Sequence, residues 1–342
     1  MNNVDTEQEQ EELYEHHRIV VDKGQSLLRI DKFLGNRLEN TSRNKIQTAA
    51  ATDCIRVNDK PVKPSYKVKP GDVITIVFSH PPRDIELYAD AIPLNIVYED
   101  DQVIVINKPA GMVVHPAYGN YRNTLVNALV HHFHPHLGNA PLKSETLRPG
   151  LVHRIDKNTS GLMVVAKDEY SLSFLAKQFF DRTIERKYIA LTWGTFEHDK
   201  GTITGYVGRN LKNRKIMDVF TDEKFGKHAV THYTVLERLG PVTLLQCKLE
   251  TGRTHQIRVH MKYIKHPLFN DAEYGGDAIL KGTVYNKYKQ FVQNCFDLLP
   301  RQALHAASLG FMHPITKKLL FFEAALPTDF DNALQKWRQY AD

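Results

Sequence analysis

The stretch "RPGLVHRIDKNTSGLMVVAKDE", Arg148 to Glu169, places a carboxylate, Asp156, at the head of a run of turn formers. That run, Asp156 to Gly161, leads straight into a wholly apolar segment, Leu162 to Ala166, whose pattern predicts a strand buried on both faces. The turn therefore sits at a sheet end, where functional sites are commonly built. A loop aspartate can equally bond its own backbone as an Asx-turn, and this pattern alone does not separate the two. A second stretch, "LLQCKLETGRTHQIRVHMKYI", reads as a strand ending at Glu250, a Thr-Gly bend, and a helix over about 254–264. Ile257, Met261 and Ile264 form the buried stripe of that helix and Thr254 its cap, which sets Arg253 just ahead of the N-terminus. That is the positive end of the helix dipole, so Arg253 calls for an anion, and Asp156 is a candidate. The alternative is an exposed arginine that tolerates a dipole penalty of roughly a few tenths of a kcal/mol. A third stretch, "RKYIALTWG", carries Tyr188 and Trp193 in a strand, where aromatics usually pack in a core. Tyr188, preceded by Arg186 and Lys187, could instead stack on a nucleobase while the cations meet phosphates.

These groups need elements to hold them. Val103 to Ile106 is an apolar strand closed by Lys108-Pro109 and Gly111, and "NTLVNALVHHF" has helical spacing. Further strands are expected at 188–193, 230–236, 242–249 and 319–324, and helices at about 169–181 and 284–297. Strands outnumber helices and follow one another directly, so the expected class is α+β with a mostly antiparallel sheet. Ahead of this region, "LLRIDKFLGNRL" and "TSRNKIQTAAATD" read as two helices, the second capped by Thr41 or Ser42, followed by short strands with turns at Asn58-Asp59, Pro64 and Pro70-Gly71. The expected organisation is an acidic disordered tail (1–17), a small domain (18–80), a proline-bearing linker (81–95) and a large domain (96–342).

Charge points to the class of partner. The chain has 342 residues and a net charge of +6. Residues 1–17 hold six acidic residues and no Lys or Arg, so the remainder carries +12, half of it on 18–80. A small basic domain ahead of a larger one suits a polyanion such as nucleic acid, although a solvated cationic surface has the same composition. No apolar run of about 18 residues is present, so no membrane span is expected. Three separated cysteines, Cys54, Cys247 and Cys295, suit a reducing, cytoplasmic setting. The histidines of "HHFHPH" (131–136) lack partners at metal-ligand spacing, and no glycine-rich phosphate loop occurs, so neither metal nor cofactor is expected.

Two resemblances sharpen these readings. "LLRIDKFL", "SRNKIQ", "IRVNDKPVK" and "VKPGDVITI" resemble an S4 domain, a small α/β RNA-binding module of the αL type. Cys54 stands where a glycine is usual, and Asp59 replaces the glycine of the VNG turn. The module's candidate RNA contacts are Arg29, Lys32, Arg43 and Lys45; Arg43 and Lys45 stand in the first turn of the second helix, where cations call for an anion. Downstream, "NKPAGMVVHP", "VHRIDKNTSGLMVVAK", "RKYIAL", "LETGRTHQIRVH", "RQALHAASLGFMHPIT" and "FEAALPTD" resemble, in order, the motifs of the RluA-family RNA pseudouridine synthases, most of all the branch that acts on the ribosomal large subunit. Ile155 replaces a leucine and Asn270 a glycine. The resemblance implies that uridines in large-subunit ribosomal RNA are flipped out and isomerised to pseudouridine. It implies Asp156 as the catalytic aspartate, Arg253 as its arginine partner, Tyr188 as the tyrosine that stacks on the flipped base and can serve in removing the C5 proton, and Arg154 as the residue entering the vacated gap. It implies no cofactor, and a monomer is expected. The alternatives are a synthase acting on transfer RNA and a non-catalytic RNA-binding ribosome-assembly protein.

Overall fold

The computed structural model describes residues 14–38, 41–78, 87–116, 121–135, 141–142, 149–213 and 216–342. The chain forms two compact units divided between Ile85 and Glu86.

In the first unit, helices Ile30–Gly35 and Arg43–Ala51 cover a four-stranded sheet ordered Tyr14–Val20, Val73–Phe78, Ile55–Val57, Lys60–Pro61. The helical period of Ile30, Phe33 and Leu34 meets Ile46 and Ala50, and both pack on Ile55, Val57, Ile74 and Ile76. The second helix is capped by Ser42, whose Oγ accepts from the Lys45 N–H at 3.4 Å. Asn58 and Asp59 have φ of 49° and 64°, the left-handed pair that a two-residue hairpin turn requires. The positive φ near Cys54 falls on Asp53, at 57°, so the cysteine itself carries no such strain. The first strand begins at Tyr14, which corrects the tail: residues 14–17 pair with the Val73–Phe78 edge, and only 1–13 lie outside the described residues. A basic-and-acidic pattern with few apolar residues hid a strand whose partner supplies the hydrogen bonds.

The second unit is α+β. Among the described residues, an eleven-stranded sheet runs Met217–Phe220, Lys200–Arg209, Lys227–Leu239, Val242–Leu249, Glu185–Trp193, Leu304–Met312, Ser160–Ala166, Val103–Lys108, Ile96–Glu99, with Gly150–Leu151 and Leu319–Glu323 at its side. Its one described parallel pairing sets Ser160 and Gly161 beside His305 and Ala306; every other is antiparallel. Alternation along Glu185–Trp193 splits the core: Tyr188 and Ala190 face one apolar cluster, Leu191 and Trp193 another beneath helices Asn286–Leu298 and Thr328–Ala341. The expected linker needs correction where it is described. Leu87–Tyr88 pairs with Pro141–Leu142, Leu87 and Ala89 pack on Val126 and Val130, and Asp90 holds Arg122. Residues 79–86 lie outside the described residues.

Candidate active site

The turn that carries Asp156 is held from below. The Thr159 N–H donates to the Asp156 carbonyl at 3.1 Å. Gln302 Nε2 donates to Thr159 Oγ1 at 3.3 Å, Arg301 Nη1 to the Asn158 carbonyl at 3.0 Å, and Ser160 Oγ lies 2.9 Å from His305 Nδ1. Gly161, at φ 119°, closes the turn; a Cβ there would overlap the Ala306 backbone where the two strands run parallel. Lys108 is fully buried, and its Nζ donates to the carbonyls of Pro109 (2.7 Å), Met112 (2.9 Å) and Lys157 (3.1 Å). Burial, with Arg301 adding repulsion and Asp156 partly opposing both, pushes Lys108 down to about 7. Its three acceptors match the three N–H groups of an ammonium, so the hydrogen-bond geometry favours the charged form.

Asp156 faces a cleft of about 510 Å³ together with Arg154, Tyr188, Arg253, His255 and Arg258. The cation beside it is Arg258, whose Nη1 lies 3.4 Å from Asp156 Oδ2, and this corrects the expected pairing with Arg253. Arg253 lines the same cleft, but its Nε donates to the His228 carbonyl at 3.1 Å. The physical reason is the helix start. The helix spans Gln256–Tyr263 and is entered through His255 at φ 54°, not through a Thr254 cap. No side chain caps this helix; Gln256 instead ties its first turn to the bend and to the neighbouring strand: its Oε1 accepts from Thr251 Oγ1 (2.8 Å) and the Arg253 N–H (3.0 Å), and its Nε2 donates to the Val230 carbonyl (3.0 Å) and Thr231 Oγ1 (3.0 Å). The buried first turn thereby carries Arg258 inward, one turn beyond the bend.

Arg258 is itself clamped. Asp271, fully buried, accepts from its Nε and Nη2 at 2.7 Å each, and Glu273 accepts from Nη2 at 2.6 Å. The paired carboxylates raise Arg258 further above its ordinary range, against the opposing effect of burial. This leaves Nη1 to reach Asp156. His255 Nε2 stands 3.8 Å from Asp156 Oδ1, and burial lowers its pKa.

Tyr188 is buried in the cleft wall, and burial raises its hydroxyl above the ordinary tyrosine value. It is therefore a neutral phenol at neutral pH, suited to stacking and donation rather than to acting as a ready base. Arg154 is exposed at the cleft and Arg186 lines it, whereas Lys187 is not among the lining residues. His132 of the histidine-rich stretch pairs with Glu99 at 2.9 Å.

In the first unit, Arg29 and Arg43 converge on buried Asp31: Arg29 Nε at 3.1 Å and Arg43 Nη2 at 2.9 Å, with Gln47 Nε2 at 2.9 Å. Hydrogen bonds from Arg29 and then Gln47 and Arg43 hold Asp31 well below the usual carboxylate range, against burial. The anion that Arg43 calls for is thus inside the unit. Lys32 and Lys45 remain exposed.

Sequence patterns pass over Arg258, Asp271, Glu273, His255 and Lys108. One signal was readable: Arg258 sits between Ile257 and Val259 in an amphipathic helix, where a charge is costly unless paired.

The family model described as "RNA pseudouridylate synthase" matches residues 102–263, and the "S4 domain" model matches 28–74. A protein of Chlorobaculum parvum named "Uncharacterized RNA pseudouridine synthase" is 46% identical over 93% of this chain and 96% of its own length. One of Nitrosomonas europaea named "Ribosomal large subunit pseudouridine synthase D" is 42% identical over 91% and 85%. Among solved structures, "Human RNA Pseudouridylate Synthase Domain Containing 4" shares the fold, with a TM-score of 0.52 and 24% identity over 71% of this chain and 93% of that one. With the motifs in family order, an S4 domain ahead of them and relatives alike along nearly the whole length, the chain belongs to the RluA family of RNA pseudouridine synthases.

Proposed function

We propose that this isomerase acts on uridines in large-subunit ribosomal RNA, with Asp156 as its catalytic carboxylate and the target base flipped into the cleft. The observation that carries the reading is Asp156 facing that cleft with Arg258 at 3.4 Å and Tyr188 in the same wall. In the reaction the C1′–N1 bond breaks, the uracil turns, C1′ joins C5, the C5 proton leaves and N1 gains one. Asp156 acts at C1′ or C6, or stabilises a glycal intermediate; a carboxylate beside C1′ meets the oxocarbenium-like charge that glycosidases also handle. Arg258 keeps that carboxylate oriented, while Asp271 keeps Arg258 oriented. Tyr188, a neutral phenol, stacks on the base, and Arg154 enters the gap it leaves. Extrusion costs roughly a few kcal/mol, which contacts elsewhere on the RNA must offset. Arg186, Lys187 and Arg253 in the second unit, with Lys32 and Lys45 in the first, are the proposed phosphate contacts; Arg29 and Arg43 contribute as a pair already oriented by Asp31. The ribosomal target rests on relatives named for the ribosomal large subunit.

The test is pseudouridine mapping of total RNA from a deletion strain complemented with the wild-type gene or with Asp156→Asn. Specific large-subunit sites are expected to vanish on deletion, return with wild type and stay absent with Asp156→Asn, whose RNA affinity is unchanged. Loss confined to transfer RNA overturns the target. Turnover by Asp156→Asn overturns the catalytic assignment.

A further inference from the structure

Two consecutive phenylalanines end the helix Glu169–Phe180, and they are treated oppositely. Phe179 turns inward, with its ring centroid 4.7 Å from that of His153 and the Arg186 guanidinium 5.1 Å from its centre. Phe180 is 85% exposed, yet it lines the same cleft as Asp156. The chain then leaves the helix through Arg182, held at φ 59°, whose side chain is about half exposed and lies 3.9 Å from Glu250. Arg154 and Arg182 line the cleft with the Phe180 ring. A single exposed apolar side chain on a surface needs no explanation. A flat ring and guanidinium groups lining one cleft of an RNA-modifying enzyme are the two features that unpaired nucleotides require: a face to stack on and cations for phosphates. Extruding a uridine also removes the stacking partner of each neighbouring base.

From this arrangement we infer that Phe180 forms a second nucleotide subsite, stacking on the base adjacent to the target uridine while Arg182 meets that nucleotide's phosphate. The inference rests on RNA entering at the Asp156 cleft. Stacking of this kind is sequence-tolerant, because every base has a π-face, so the subsite selects for an unpaired neighbour rather than for its identity.

The test uses full-length Asp156→Asn protein, which holds substrate without turning it over, and a ribosomal stem-loop carrying a mapped target. Adding Phe180→Ala raises the Kd about 5- to 150-fold, the range that loss of one stacked base implies. On the same RNA with an abasic nucleotide at the neighbouring position, the substitution changes Kd less than about twofold, the result expected once its partner base is gone. Phe180→Trp preserves affinity. The slope of log Kd against log salt is unchanged in Phe180→Ala, and Arg182→Ala flattens it by about 0.7 unit, one phosphate contact on a single strand. The melting temperature of Phe180→Ala stays that of its parent, because the ring is solvent-exposed. Equal affinity with and without the ring, or an equal loss on abasic RNA, overturns the subsite. Turnover of the stem-loop by the unsubstituted enzyme is measured alongside; its absence overturns the target assignment and the subsite together, whereas turnover with unchanged Phe180→Ala binding overturns the subsite alone.

Discussion

Arg258→Lys tests which of two cleft arginines, Arg258 or Arg253, is the partner of Asp156. Arg258 Nη1 lies 3.4 Å from Asp156 Oδ2, long for a hydrogen bond, so the interaction is mainly Coulombic. Two unit charges at that distance attract by about 5 kcal/mol at an effective dielectric of 20. Part of that is offset by desolvation of a guanidinium that is only 5% exposed. Lysine keeps the charge but has no planar fork. It can hold Asp271 by one bond in place of two at 2.7 Å, and the ammonium that does so no longer reaches Asp156. If half of the Coulombic attraction supports the transition state, about 2.5 kcal/mol is lost, which is roughly 70-fold in rate. The assay is single-turnover release of tritium from RNA labelled at uridine C5, with saturating enzyme. Arg258→Lys is expected to slow release by roughly 30- to 150-fold with RNA affinity within about threefold. Arg253→Lys is expected to leave the single-turnover rate within about threefold and raise the RNA concentration needed. A wild-type rate in Arg258→Lys, or a larger rate loss in Arg253→Lys, refutes the assignment of Arg258 as the partner of Asp156.

Other outcomes follow from the same geometry. Burial holds His153 down to about 3 and His260 to about 4, so the unfolded chain binds more protons than the folded one between those values and about 6.5. Their contribution is therefore complete above about pH 6.5 and is lost as pH falls; at pH 5 each costs about 2 kcal/mol, and a melting temperature that stays flat from pH 7 to 5 refutes this. Asp31→Asn removes the shared acceptor of Arg29 and Arg43 and should lower the stability of the first unit by about 2 kcal/mol once the half-exposed arginines are discounted, measured as its unfolding transition. Gly161→Ala forces a Cβ into the Ala306 backbone at a φ of 119° and should cost more than about 3 kcal/mol; folded, active protein with an unchanged melting temperature contradicts the parallel pairing at that point.

Local pattern was enough for much of this. The apolar run before Lys167, the helical period of Ile30, Phe33 and Leu34, and the Asn58-Asp59 turn each state their geometry through neighbours in sequence, and the motifs in order identified the family. The turn at Asp156 was legible because Asp, Asn, Thr, Ser and Gly are turn residues for reasons within a few bonds. The longer strands at 200–209 and 304–312 and the helix at 328–341 went unread. Lys200–Arg209 carries glycines at 201, 205 and 208, where the Tyr233 ring, the Val219 side chain and the Phe225 backbone fill the space, so its apolar alternation is weak.

What sequence could not decide was which charges meet. A helix-dipole argument says that Arg253 and Arg43 call for an anion, but the field of a helix end does not say whether RNA or a carboxylate supplies it. For Arg43 the answer is Asp31, twelve residues away and buried. For Asp156 the cation is Arg258, 102 residues away, delivered because the helix begins at Gln256 rather than at Thr254 and Asp271 grips the guanidinium from behind. A buried ion pair depends on distances of a few ångströms between segments far apart in the chain. Composition and spacing set which elements form and which residues have chemistry to offer; only the packing of those elements, which excludes water and brings distant segments within that range, chooses the partners.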